Sequence, residues 1–173
     1  MEKREKGKGK PKKDVETRRA ASSRWEKLFP TETTSPGETR ALGERIAAHL
    51  TAGDLVALYG DLGAGKTQLA KGIGRGLGVP ERDVRSPTFT LVHEHAEGGR
   101  LPLYHIDAYR LGDPDELREL GYERYFYGEG VCVVEWPGRI EALLPETAIR
   151  LRLSHQGRDK RRIERVEAEG MDG

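Results

Sequence analysis

The eight residues Gly60-Asp61-Leu62-Gly63-Ala64-Gly65-Lys66-Thr67 satisfy the pattern G-x-x-x-x-G-K-[ST], and they constrain the fold of this 173-residue chain more than any other segment. The pattern works only in one setting, after a buried strand and at the mouth of a helix. Both neighbours are present. Residues 54–59 are a short apolar run suited to a buried strand, and a helix is predicted from Lys66 to Leu77, stopped by Gly78 and Pro80. In that setting the glycines allow a tight turn whose backbone N–H groups point at an anion, and the helix N-terminus adds partial positive charge. The Lys66 ammonium then reaches terminal phosphates, and Thr67 offers a hydroxyl to Mg²⁺. Asp61, Leu62, Gly63, Ala64, Gly65, Lys66, Thr67 and Gln68 are accordingly the candidate nucleotide contacts.

Upstream, Ser35-Pro-Gly-Glu38 has the form of a helix start, with Leu42, Ile46, Ala47 and Leu50 recurring at helical spacing, so a helix ending near Gly53 is predicted. Downstream, strands are predicted at Phe89–His93, Leu101–Ile106, Val131–Glu135, Ala148–Leu153 and Ile163–Val166, with short helices from Pro114 and over Arg139–Leu144. The sum is an α/β fold of the phosphate-loop kind, a three-layer sandwich with a mixed, largely parallel central sheet. One domain fits the length.

Charged residues make up 34% and the AVILMFWYC set 35%, which is polar for a packed domain. The excess charge is localised. Residues 1–30 carry 11 Lys and Arg against 5 Asp and Glu, a charge of +6; of the chain's 30 basic and 29 acidic residues that leaves 19 and 24, a body of −5. Such a leader cannot bury enough surface to offset the entropy of ordering, so 1–30 reads as a disordered basic extension, 31–168 as the phosphate-loop domain and 169–173 as a disordered tail. The leader is either a solubilising segment or an arm that binds nucleic-acid phosphates. Cys132 is the only cysteine, which excludes an internal disulfide and reads as a buried, inert thiol. No apolar run of roughly 18 residues and no secretion signal appear, so the expected location is cytoplasmic, with no membrane partner.

A phosphate loop binds; hydrolysis also needs a metal-side carboxylate and a group that orients water. Glu135 closes the run Val131-Cys-Val-Val-Glu and Asp107 closes Leu101-Pro-Leu-Tyr-His-Ile-Asp, both at strand ends where α/β ligands bind. Either can be the metal-side acid. Ser86-Pro-Thr-Phe-Thr90 sits where switch segments reach over a terminal phosphate, and its hydroxyls, Thr88 among them, are candidates to contact metal or water. Arg110 is read as a charge stabiliser or, more simply, as the partner of a nearby acid, and Trp136 as a packing residue or a lid. His93, His95 and His105 lack metal-ligand spacing such as H-E-x-x-H. No N-K-x-D stretch is present to read guanine, which favours ATP over GTP. A small-molecule kinase and a nucleotide-gated adaptor without turnover stay open as alternatives.

Four strings in order, Gly60–Thr67, Ser86–Thr90, His105-Ile-Asp-Ala-Tyr-Arg-Leu111 and Val134-Glu-Trp-Pro137, resemble those of the bacterial TsaE (YjeE) family, the P-loop ATPases of the tRNA threonylcarbamoyladenosine modification system. The resemblance covers about residues 35 to 165. It implies that Lys66 and the loop bind ATP phosphates, that Thr67 and Glu135 serve Mg²⁺, that Asp107 supports hydrolysis, and that Ser86–Thr90 form a switch. It also implies that Thr39 lies near the nucleotide. The partners implied are TsaB and TsaD, with tRNA engaged through that complex and ATP turnover resetting it between rounds of adenosine-37 modification; carbamoyl transfer belongs to TsaD. Gln68 stands where many relatives have a second Thr, and Ala108 where Leu is commoner. Neither removes a group the chemistry requires.

Overall fold

The protein is described by a computed structural model covering residues 27–168; the basic leader through residue 26 and the tail 169–173 lie outside the described residues. In chain order the elements are β1 (Thr31–Thr33), α1 (Pro36–Ala47), β2 (Leu55–Tyr59), α2 (Lys66–Leu77), β3 (Val92–His95), β4 (Leu103–Asp107), α3 (Asp115–Glu119), α4 (Glu123–Phe126), β5 (Val131–Glu135), a 3-10 segment (Pro137–Leu143), β6 (Ile149–His155) and β7 (Arg161–Arg165). The strands form one sheet in the order β1-β7-β6-β2-β5-β4-β3. Its centre, β6-β2-β5-β4, is parallel, while β3, β7 and β1 add antiparallel edges. The mixed, largely parallel sheet read from the sequence is the one observed.

β2 is buried at all five positions, as a strand covered on both faces must be. Val56 and Leu58 face the layer formed by α1 and α2, with Leu42, Ile46, Leu69, Ile73 and Leu77. Leu55, Ala57 and Tyr59 face the opposite layer, with Leu117, Phe126, Ile140 and Leu143. Each fully buried Leu or Ile in these layers contributes about 1.5–3 kcal/mol. The two helices of the first layer cross closely enough that a Cβ added to Gly43 would collide with the backbone of Leu69 and Ile73. That contact packs the middle of α2 against α1.

Ser35 caps α1: its Oγ accepts the Glu38 N–H at 3.1 Å, and Glu38 reaches back to the Thr34 N–H at 2.6 Å. The helix stops at Ala47, six residues short of Gly53, because residues 49 and 50 close with i→i−3 turns onto Ile46 and Ala47. Leu28 and Phe29, which fall within the expected extension, pack in part against the first layer. β1 was not anticipated; its three residues, Thr31-Glu-Thr33, are bound to the sheet only through β7.

The strand expected at Phe89–His93 begins later, at Val92. Residues 87–91 instead form turns, in which Thr90 and Leu91 donate to the Pro87 carbonyl and Leu91 adopts φ 66°. The helix expected over Arg139–Leu144 is a 3-10 segment starting at Pro137, and α4 is an additional short turn of helix. Among the described residues no helix is long and apolar enough to cross a membrane.

Candidate nucleotide site

Gly60, Gly63 and Gly65 take φ of 144°, 77° and 103°, values that L side chains rarely adopt, so this loop shape requires glycine. At Gly60 space is short as well, since a Cβ there would strike the Leu153 carbonyl of β6. The loop delivers the chain into α2 through Gly65, and no side chain caps that end. The first-turn amides of α2 therefore lack side-chain partners where a cavity of about 500 Å³ opens. The stretches of chain that face it are the start of α1, the loop with the start of α2, the segment 86–88, the ends of β4 and β5, and the β6–β7 turn.

Lys66 is buried, with Nζ 2.5 Å from the Gly60 carbonyl, 2.8 Å from the Asp61 carbonyl and 3.9 Å from the centre of the Trp136 ring. Burial pulls this ammonium below its usual range, and the carboxylates of Glu135, Asp107 and Asp61 act against the shift. The loop's own carbonyls thus satisfy the charge until an anion competes for it.

β4 and β5 run parallel in a register that sets Asp107 beside Glu135. Both carboxylates are buried at the strand ends yet line the cavity. The Thr67 hydroxyl lies 3.1 and 3.0 Å from the two Glu135 oxygens. A hydroxyl and a carboxylate so close are the oxygen donors a small hard cation takes, and among the described residues no cluster of three His, Cys, Asp or Glu offers a competing cage. The donor chemistry fits Mg²⁺.

Asp107 binds inward to different partners: Oδ2 accepts from Ser86 Oγ and, at 3.0 Å, from Thr88 Oγ1, while Oδ1 accepts the Tyr109 N–H at 2.9 Å. The segment 86–90 is therefore tied across the mouth of the cavity by Asp107. Arg110, read as the partner of an acid, has its guanidinium over the exposed Phe89 ring, 4.4 Å from its centre. Trp136 holds the left-handed conformation (φ 58°) and stacks on Tyr109 at 4.9 Å, which lays both rings along one wall.

Leu62, Gly63, Gly65, Lys66, Thr67, Gln68, Thr39, Thr88, Asp107 and Glu135 all line the cavity. Asp61 and Ala64 do not: Asp61 acts through its carbonyl, and the Ala64 side chain points into the first core layer. Thr39 bonds Thr33 Oγ1 at 2.8 Å, and Gln68 accepts from Arg40 at 2.7 Å, so both are already held. Asp159 and Arg161 were not anticipated. They reach the cavity because the β6–β7 turn folds back over the loop, where Arg161 Nη2 donates to the Gly63 carbonyl at 3.3 Å. Nothing local in Arg158-Asp-Lys-Arg161 marks that return.

A doubly covered, largely parallel sheet with this loop between its central strand and the following helix defines a P-loop nucleotide-binding protein. Its motifs narrow the class, and the comparisons agree. The chain belongs to the TsaE family: residues 33–163 match the family described as threonylcarbamoyl adenosine biosynthesis protein TsaE. The tRNA threonylcarbamoyladenosine biosynthesis protein TsaE of Bacillus subtilis (strain 168) is 47% identical over 131 residues, covering 76% of this chain and 80% of the relative. Its counterpart in Streptomyces coelicolor is 49% identical over 117 residues, covering 66% and 77%. A crystal structure of Bacillus subtilis YdiB aligns at a TM-score of 0.69 and 40% identity, covering 81% of this chain and 85% of that one.

Proposed function

We propose that this chain is a Mg²⁺-dependent ATPase that serves formation of threonylcarbamoyladenosine at position 37 of tRNAs reading ANN codons, acting with TsaB and TsaD and resetting their complex between cycles. The family supports the pathway, and the observation that carries the chemistry is the pairing of Asp107 with Glu135 across adjacent parallel strand ends, facing Lys66 and Thr67. The two acids have different work. Glu135 and the Thr67 hydroxyl would hold the cation, and Mg²⁺ there would supply positive charge toward the terminal phosphate. Asp107 anchors Ser86 and Thr88, and the lone pair left on its Oδ1 orients the attacking water and accepts its proton.

Lys66 exchanges the Gly60 and Asp61 carbonyls for phosphate oxygens, while the uncapped start of α2 donates its amides to the same group. Tyr109 and Trp136 keep solvent off one side. The segment 86–90 reaches the phosphate end through side-chain bonds to one carboxylate, an arrangement that a docked partner can complete, so turnover by the isolated chain is slow.

Phosphate release measured with and without purified TsaB–TsaD tests this. The expected result is stimulation by the pair, together with repeated cycles of tRNA modification that stop when the chain is omitted. Phosphate found on a metabolite instead of in water favours a kinase, and intact support of modification by Asp107→Ala favours an adaptor without turnover.

A further inference from the structure

His105 carries no role in the chemistry above, yet it is fully buried within bonding distance of Glu135. It sits on β4 opposite Val133 of β5, two residues before Asp107, so its ring reaches diagonally to the next strand. Nε2 lies 2.8 Å from Glu135 Oε1, and Nδ1 is buried without a hydrogen-bond partner among the described residues. A neutral imidazole has one N–H and one bare lone pair, and a carboxylate only accepts. The shared proton therefore belongs on Nε2, which leaves the lone pair, not an N–H, on the dry side.

From this we infer that His105 is a positioning residue: its Nε2–H clamps Oε1 of Glu135 and so fixes the carboxylate against the Thr67 hydroxyl, where the cation would be held. The inference rests on the reading of Glu135 as the cation-side carboxylate. A free glutamate side chain has three torsions to order, and the clamp removes that freedom before the cation arrives. Thr67 alone cannot do this, because its single hydroxyl lies almost equally far from both oxygens, at 3.1 and 3.0 Å. Hydrogen-bond partners of ligating carboxylates commonly set metal affinity by about 10–100-fold.

The test is the half-saturating Mg²⁺ concentration for binding of a non-hydrolysable ATP analogue. His105→Asn, whose amide is too short to reach Glu135, should raise it by about 10–100-fold. His105→Gln, which places an amide N–H near the position of Nε2, should restore the wild-type value, and the Asn substitution should add nothing in a Glu135→Gln background. In wild-type protein, ¹⁵N-resolved NMR should show the ring proton on Nε2.

Equal Mg²⁺ requirements for the Asn variant and the wild type, while Glu135→Gln weakens binding, overturn the clamp and leave the reading of Glu135 standing. A Glu135→Gln variant with unchanged Mg²⁺ dependence overturns that reading itself. A lowered melting temperature in both His105 variants without a difference in Mg²⁺ dependence between them shows a purely structural histidine. A ring with no proton on Nε2 overturns the clamp even if the variants fail to fold.

Discussion

Two polar clusters pack against this sheet, and one of them faces the cavity. The first sets His105, Glu135 and Thr67 beside Asp107, Ser86 and Thr88 on the α1–α2 side. The second, on the opposite side, joins the Tyr59 hydroxyl to Glu141 at 2.5 Å and Arg150 to the same carboxylate at 3.2 Å. Tyr59 ends β2, one residue before the loop, so the clusters are close along the chain. The two differ in where they face. The second is closed to the cavity: none of its three residues lines it, and Glu141 is only partly buried. The first is open to it: Asp107 and Glu135 are buried and both line the cavity. A polar cluster by itself marks no site here. Buried carboxylates that line a cavity beside an uncapped helix end mark the candidate site.

The largest effect expected from breaking this contrast is at Asp107. Asp107→Asn should slow TsaB–TsaD-stimulated phosphate release by about 10²–10⁴-fold, since it removes the proton acceptor. Its melting temperature should shift by no more than about 4 °C, because Tyr109 keeps its partner oxygen. Loss of nucleotide binding alongside turnover would instead make Asp107 a structural anchor. Glu141→Gln should do the reverse. Arg150 is buried and would keep only a neutral partner, at a cost of about 1–3 kcal/mol in denaturant unfolding, with phosphate release unchanged.

The smallest effect is the pH dependence of the closed cluster. Burial, then the bond to Glu141, pushes the Tyr59 hydroxyl above its usual range. The native chain thus keeps this proton at a pH where the unfolded chain, titrating near about 10, has released it. The contribution is fully present below the unfolded value and is lost as pH rises above it. Wild-type stability should therefore fall between pH 10 and 11 more steeply than that of Tyr59→Phe, by at most about 1.36 kcal/mol per pH unit. Parallel curves would remove Tyr59 from the cluster's energetics.

The open cluster was far more legible in sequence than the closed one. Asp107 and Glu135 could be read because each ends an apolar run, and a strand end in an α/β sheet is where a ligand binds. Glu141 and Arg150 are unremarkable surface residues until β6 and the 3-10 segment pack together. Similarly, Phe89 and Leu91 have strand-forming side chains, yet the Asp107 bonds to Ser86 and Thr88 and the turns onto Pro87 hold 86–91 as a loop. That is tertiary bonding overriding local preference. Asp159 and Arg161 reach the cavity for the same reason: a turn between two strands is legible, but its place over the phosphate loop depends on β6 lying beside β2.

Composition and order of residues determined the phosphate loop, the strand and helix around it, and the pair of acids at strand ends. Those are short-range matters of backbone freedom, helix polarity and apolar runs, complete within a few residues of each other. The different surroundings of the two acids were decided only by the folded sheet. The register of β4 against β5 puts a histidine nitrogen on Glu135, the 86–88 loop brings a serine and a threonine to Asp107, and that register is a contact between residues about 28 positions apart.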